Sequence, residues 1–435
     1  MLFNSYNFIF YFLIPVLGIF YIVGTRSKSS TYNIKLYFLI LVSILFYMQW
    51  DIIHLLLLIG SIVTNYLFVK YFLKKNKLLL LGIIVLNLLP LLYFKYSTTL
   101  DITSHSLVLP LAISFYTFQQ IMFIIDAYKK KLEVESFSHY LFFVLFFPQL
   151  IAGPIVHYNT LMDQIKTDRV FDTYNSTKLK AGIVLFSIGL FSKIVIADNL
   201  VLSEYNSWSD LFSYSFMIYF DFSGYASMAI GLALMFGIVL PINFNSPYKA
   251  RNLIDFWRRW HITLSSFLRD YIYIPLGGNR YGLSIQMMAL MSTMVIGGIW
   301  HGAGWSFLLW GAFHGLGLAL LHLFKNIKLP FLLAVLVTFI YVSLLWVFFL
   351  SEDLDAALAL FKILFSFEGF KEYNYWLLAV GFIVWIMPNA TQIIALQKND
   401  FGLKSWHGYL AGILFFVSLK MMAETPSLNF VYFNF

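Results

Sequence analysis

Apolar residues come in runs of about twenty, each closed by a short polar loop, and a run of that length is what an α-helix needs to cross a bilayer. Candidate spans cover 8–24, 36–50, 52–72, 78–94, 109–127, 181–197, 211–240, 283–300, 305–324, 331–350, 375–388 and 409–422. Two weaker apolar stretches, 140–156 and 356–367, do not fit this scheme. Pro148, Gly153 and Pro154 interrupt the first, which therefore reads as a re-entrant hairpin. Non-helical backbone at membrane depth survives only when buried in protein or lining a wet cavity, so a cavity is expected nearby. No soluble domain, low-complexity linker or clear internal repeat breaks the pattern. The expected architecture is all-α and polytopic, one integral membrane domain over 1–435.

Composition sharpens that picture. Only 11% of the 435 residues are charged and 60% are hydrophobic, whereas a soluble domain carries about 25% charged residues. Such a chain cannot clothe a water-facing surface, so lipid is the solvent for most of it. The net charge of +8 is then no nucleic-acid footprint, because basic residues in membrane proteins mark cytoplasmic loops. With no cysteine there is neither a disulfide framework nor a thiolate metal site, and no metal or cofactor is expected. The first apolar run lacks a charged n-region and a small-residue cleavage site, and reads as a retained helix.

The loops alternate in charge. Basic ones hold Arg26, Lys28 and Lys35, then Lys74, Lys75 and Lys77, Lys129 to Lys131, and Lys166, Arg169, Lys178 and Lys180. The series continues through the central loop to Lys325 and Lys328, then Lys398 and Lys404. Intervening loops are neutral or acidic, as at Asp198, Glu204 and Asp210, or Glu352, Asp353 and Asp355. By the positive-inside rule the basic loops face the cytosol and both termini face outward, provided 140–156 does not cross.

Charge, histidine and glycine crowd together only in 248–315. Within 252–269, Trp257, Trp260, Ile262, Leu264 and Phe267 are interleaved with Arg258, Arg259 and Arg269. One reading is an amphipathic interfacial helix. The other is a platform for an anionic cytosolic donor, since guanidinium forks grip phosphate and Trp faces stack on a base. Gly277 and Gly278 in the PLGGNR turn permit positive φ and close backbone approach. His301 closes an apolar span within Gly297-Gly298-Ile299-Trp300-His301-Gly302. Ionisable groups in spans are usually functional, and a neutral buried imidazole is suited to general-base work; the competing reading is a packing histidine bonded to a backbone carbonyl. His314, thirteen positions on, points to nearly the opposite face of a helix, does not look like a metal partner of His301, and is assigned a structural or supporting role. His54 and His322 are assigned to packing or interfaces. Asp221, inside YFDFSGY, needs a partner: a histidine it orients, a central arginine, or a purely structural ion pair. Ser114, Tyr116, Thr117, Gln119 and Gln120 are candidates for helix glue. No covalent-nucleophile elbow is visible.

These residues resemble a family. The stretches LPLAISFYTFQQIMFIIDAY, FFPQLIAGPIVHY, YFDFSGYASMAIG, NFNSPYKARNLIDFWRRWHITLSSFLRDYIYIPLGGNR and GGIWHGAGWSFLLWGAFHG are similar to the membrane-bound O-acyltransferases, in the bacterial branch acting on alginate and peptidoglycan. The likeness covers a core at 109–315 in the expected order. It implies tilted helices with re-entrant segments around a central tunnel, in the cytoplasmic membrane. It also implies that His301, in Trp-His-Gly, is catalytic, and that the second polar site residue is His261, forty positions earlier. Trp257, Arg258, Trp260, Arg259, Arg269 and Asp221 are then candidates for donor binding. The implied reaction moves an acetyl group from a cytosolic thioester, acetyl-CoA or an acylated carrier, to a cell-surface polysaccharide. Surface-polymer members commonly work with a separate outer SGNH-type, esterase-like partner. D-alanyl transfer to teichoic acid from a carrier protein is the related alternative. A transporter or flippase, or a scaffold of an export complex, are the readings outside enzymology. A catalytic His301 must be reachable by reactants from opposite sides of the membrane.

Overall fold

The computed structural model describes residues 2–23, 28–73, 76–97, 108–133, 136–151, 153–166, 170–171, 175–324, 329–370, 374–396 and 401–424. Among them all regular structure is helical. Eight helices are long and apolar enough to span: α1 (Ile52–Phe72), α2 (Lys77–Tyr96), α3 (Ser176–Leu200), α4 (Trp208–Met235), α5 (Leu283–His301), α6 (Trp305–Leu323), α7 (Phe331–Leu350) and α8 (Ser405–Glu424). Shorter apolar helices lie at Asn7–Val23, Tyr32–Met48 and Trp376–Trp385. The chain is an all-α multi-pass membrane protein. Of the basic loop residues, Arg26, Lys74, Lys75, Arg169, Lys325, Lys328 and Lys398 lie outside the described residues.

Helix ends differ from the apolar runs where local backbone chemistry overrides hydropathy. The run from Leu109 becomes helical only at Ile113, because Pro110 precedes it and Ala112 sits in the left-handed region at φ 60°. The 211–240 run stops at Met235. Gly237 turns the chain at φ 86°, and the N–H of Val239 donates to Gln164 Oε1 at 2.8 Å.

The contacts group into two units. One gathers Met1–Phe191, Gly224–Pro241 and Ile394–Asn434; the other gathers Ser192–Ser223 and Ile242–Ile393. In the first unit the interrupted stretch forms two short helices, Phe137–Leu145 and Phe147–Leu150, both too short to cross. Breaking a helix in a greasy interior frees backbone groups that must find partners. The Phe143 carbonyl accepts from the Gln119 amide at 2.8 Å and from the Gln149 amide. The N–H of Phe147 donates to Ser43 Oγ at 3.1 Å. Gln120 bonds Ser61, Asn65 and Tyr140, and Asn65 also pairs with Asn87. Helix glue therefore describes Gln119 and Gln120.

In the same unit α3 and α4 approach backbone to backbone. A methyl at Gly182 would lie 2.6 Å from the Gly231 carbonyl oxygen, and one at Gly189 would lie 2.6 Å from that of Gly224. Two glycines seven apart on each helix meet in antiparallel register, which is small-residue packing of membrane helices.

Candidate active site

All the candidate site residues belong to the second unit. Its centre is the α5–α6 hairpin. Gly298 and Gly311 meet with Cα atoms so close that a methyl on either would strike backbone of the other helix. Gly302 and Gly304 form the turn, with Gly304 at φ 132°. A methyl on Gly302 would penetrate the Phe307 ring, so that ring packs directly against the backbone next to His301.

His301 is the last residue of α5 and is 4% exposed. Its imidazole sits in an aromatic shell. Ring centroids of Trp300, Trp310 and Phe349 are 4.5, 5.0 and 5.2 Å away, the last two edge-on. Trp310 also meets His314, at 4.8 Å. The assignment of His301 and His314 to opposite faces assumed one helix. They lie on two, because the glycine turn reverses the chain between them, and both rings converge on Trp310. His314 is fully buried, and neither of its ring nitrogens has a hydrogen-bond partner among the described residues. The same holds for Nε1 of Trp310 and of Trp257, whose ring is 5.1 Å from His314. Buried polar atoms without partners are costly, and a cluster of them calls for a functional explanation.

A cavity of about 450 Å³ opens beside Trp257, the one member of this cluster that lines it. Trp257, Arg258, Ser266, Arg269, Thr293 and His322 are among its lining residues. Arg258 is exposed and has no ion-pair partner among the described residues. Arg269 is also exposed, with both its Nε and an Nη on Asp270 at 2.8 and 3.0 Å. The other donor candidates lie elsewhere. Arg259 pairs with Asp255 at 2.8 Å. Trp260 is 2% exposed and packs among Phe244, Phe256 and Trp346. Trp257 ends the short helix Leu253–Trp257 and Trp260 follows the turn, so two tryptophans three apart serve cavity and core respectively. His322, read from sequence as a packing or interface residue, lines the cavity.

His261 caps the helix Ile262–Leu268 in the left-handed region at φ 41° and is 1% exposed. Asn243 Oδ1 accepts from the Thr263 N–H at 3.3 Å and the Thr263 hydroxyl at 3.0 Å. A backbone N–H can only donate, so the atom facing it is the amide oxygen. His261 Nδ1, 3.1 Å from that oxygen, must therefore donate, leaving the lone pair on Nε2. Burial pushes its pKa down from 6.5 to about 3, which keeps the ring neutral. Phe244, Trp260, Trp346 and Trp310 form a chain of ring contacts from His261 to His301.

Asp221, 1% exposed, pairs with Lys193 at 2.6 Å, and Lys193 also holds Asp198 at 2.8 Å. Of the partners considered from sequence, the structural ion pair is the one described here, and its cation was missed. Lys193 sits in a π-helical turn, Ser192–Ala197, inside a run read as apolar. The signal was its own charge within that run, with Asp198 five positions on.

A family model described as membrane-bound O-acyltransferase matches residues 78–205 and 203–351. The chain is 42% identical to a peptidoglycan O-acetyltransferase of Helicobacter pylori, over 85% of this chain and 80% of the relative. It is 36% identical to a probable alginate O-acetylase AlgI of Pseudomonas aeruginosa, over 84% and 75%. It is 28% identical to a teichoic acid D-alanyltransferase of Bacillus subtilis, over 51% and 61%.

Proposed function

The chain belongs to the membrane-bound O-acyltransferase family and is an O-acyltransferase, and from that premise we propose that it moves an acetyl group from a cytosolic thioester, acetyl-CoA, for O-acetylation of a cell-surface polysaccharide, peptidoglycan or an alginate-like polymer. The observation that carries the reading is His301 in its aromatic shell, joined through Trp310 and Trp257 to a cavity edged by Arg258 and Arg269. The higher identity to the acetylating relatives than to the D-alanyltransferase supports acetyl over D-alanyl.

His301 takes the proton of an acceptor hydroxyl as that oxygen attacks the thioester carbonyl carbon. The new C–O bond forms, the C–S bond breaks, and the departing thiolate receives the proton from the imidazolium. Acyl ester and free thiol result, and no electrons are gained or lost. Arg258 meets donor phosphates at the cavity mouth, and Trp257 offers a ring face. Arg269 reinforces the positive end, while Asp221, Arg259 and Trp260 shape the supporting structure. His261 Nε2, held as an acceptor, orients the donor side. In the shell described, His301 is almost wholly covered, so turnover includes an opening of the rings around it. The acceptor hydroxyl belongs to a separate outer SGNH-type protein that passes the acetyl group to the polymer.

The test is donor competition in proteoliposomes. With the outer acceptor protein present, acetyl-CoA should yield thiol release dependent on the chain, and an alanylated carrier protein should not. Release from the carrier alone would reverse the assignment. Ester acetate measured on wall and exopolysaccharide fractions of a deletion strain identifies the polymer.

A further inference from the structure

Away from the candidate active site, the first unit holds a groove of about 750 Å³ between helix Asn7–Val23, α3 and α8. Its walls are apolar, built from residues such as Leu13, Leu17 and Val184. Lys180, near the start of α3, and Lys404, just before α8, also line it. Both are exposed, and neither has an ion-pair partner among the described residues. Gly408 and Gly412, one helical turn apart on α8, line the groove, and a methyl on either would meet nothing within 4 Å. The surface around it is greasy: Tyr11, Ile14, Ile413 and Phe416 are 80, 56, 62 and 70% exposed. Trp406, 51% exposed at the start of α8, is the kind of residue that sits at headgroup level, and it places Lys404 beside it there.

We infer that this groove binds one anionic phospholipid, its phosphate between Lys180 and Lys404 and its acyl chains along the glycine face of α8. The arrangement matches one ligand chemistry. Acyl chains are the medium that covers the exposed apolar rim, and two free ammonium groups at the interfacial end select a negative headgroup. An apolar helix from a partner protein would cover the walls but leave both lysines without a counter-charge. The inference is independent of the acyl-transfer chemistry, since none of these residues belongs to the candidate active site.

Native mass spectrometry of the purified full chain, titrated with phosphatidylglycerol or phosphatidylcholine, tests it. One phosphatidylglycerol should be retained in preference to phosphatidylcholine. Lys180→Gln with Lys404→Gln should weaken phosphatidylglycerol binding about thirtyfold and leave phosphatidylcholine unchanged. Gly412→Leu, which fills space without striking protein, should weaken both lipids and so provides a reading even if the lysine variant folds poorly. Equal retention of the two lipids, insensitivity to Gly412→Leu, or a copurifying polypeptide displaced by that change would each overturn the inference.

Discussion

At the scale of single residues, the buried ions give the clearest expectations. Lys193 is paired with two carboxylates in a nearly dry site, and removing the shared cation leaves uncompensated charge. Lys193→Met should lower stability by about 3–5 kcal/mol, read as a drop in thermal midpoint in detergent. Adding Asp221→Asn should restore part of it. His261 makes a pH prediction. Its folded pKa of about 3 lies below the unfolded value near 6.5, so the unfolded chain binds the extra proton between them. Its contribution is fully present above pH 6.5 and is lost as the pH falls toward 3. Denaturation midpoints should therefore decline over that window. His261→Asn, which tolerates the left-handed backbone, should flatten the decline. The tautomer of His261 was beyond the sequence, because it depends on Asn243 and Thr263 meeting across a loop. Trp257 and Trp260 likewise looked equivalent until the turn between them separated cavity from core.

At the scale of elements, run length carried the spans, since about twenty apolar residues can do little else in lipid. Proline and glycine carried the broken stretch from Phe137 to Leu150, where helix would otherwise continue. What hydropathy could not show was how helices approach one another. The glycines of α3 and α4 look unremarkable among leucines, yet Gly182 faces Gly231 and Gly189 faces Gly224. Gly189→Leu should strain that pair by about 1–3 kcal/mol or more, measurable as a lower midpoint and poorer yield. The α5–α6 turn has the same lesson. Treating 301 to 314 as one helix placed two histidines apart, whereas the Gly302–Gly304 reversal brings both to Trp310. Gly302→Ala forces Phe307 off the backbone beside His301. It should cut turnover more than it cuts yield, checked by activity per folded protein.

At the scale of the whole molecule, the basic loops predict which ends of the spans meet the cytosol. The absence of cysteine makes this directly measurable. Arg258→Cys should react with an impermeant thiol reagent only from the cytosolic side, and a cysteine added at either terminus only from outside. The central claim is that one imidazole, acting as general base, lets an acyl group pass between reactants from the two sides of the membrane. Its most direct test is acetyl transfer from acetyl-CoA to the outer acceptor protein by proteoliposomes carrying wild type or His301→Ala at matched folded protein. The account predicts a loss of about a hundredfold to ten-thousandfold, the range of general-base catalysis. Transfer at the wild-type rate without that imidazole would contradict it.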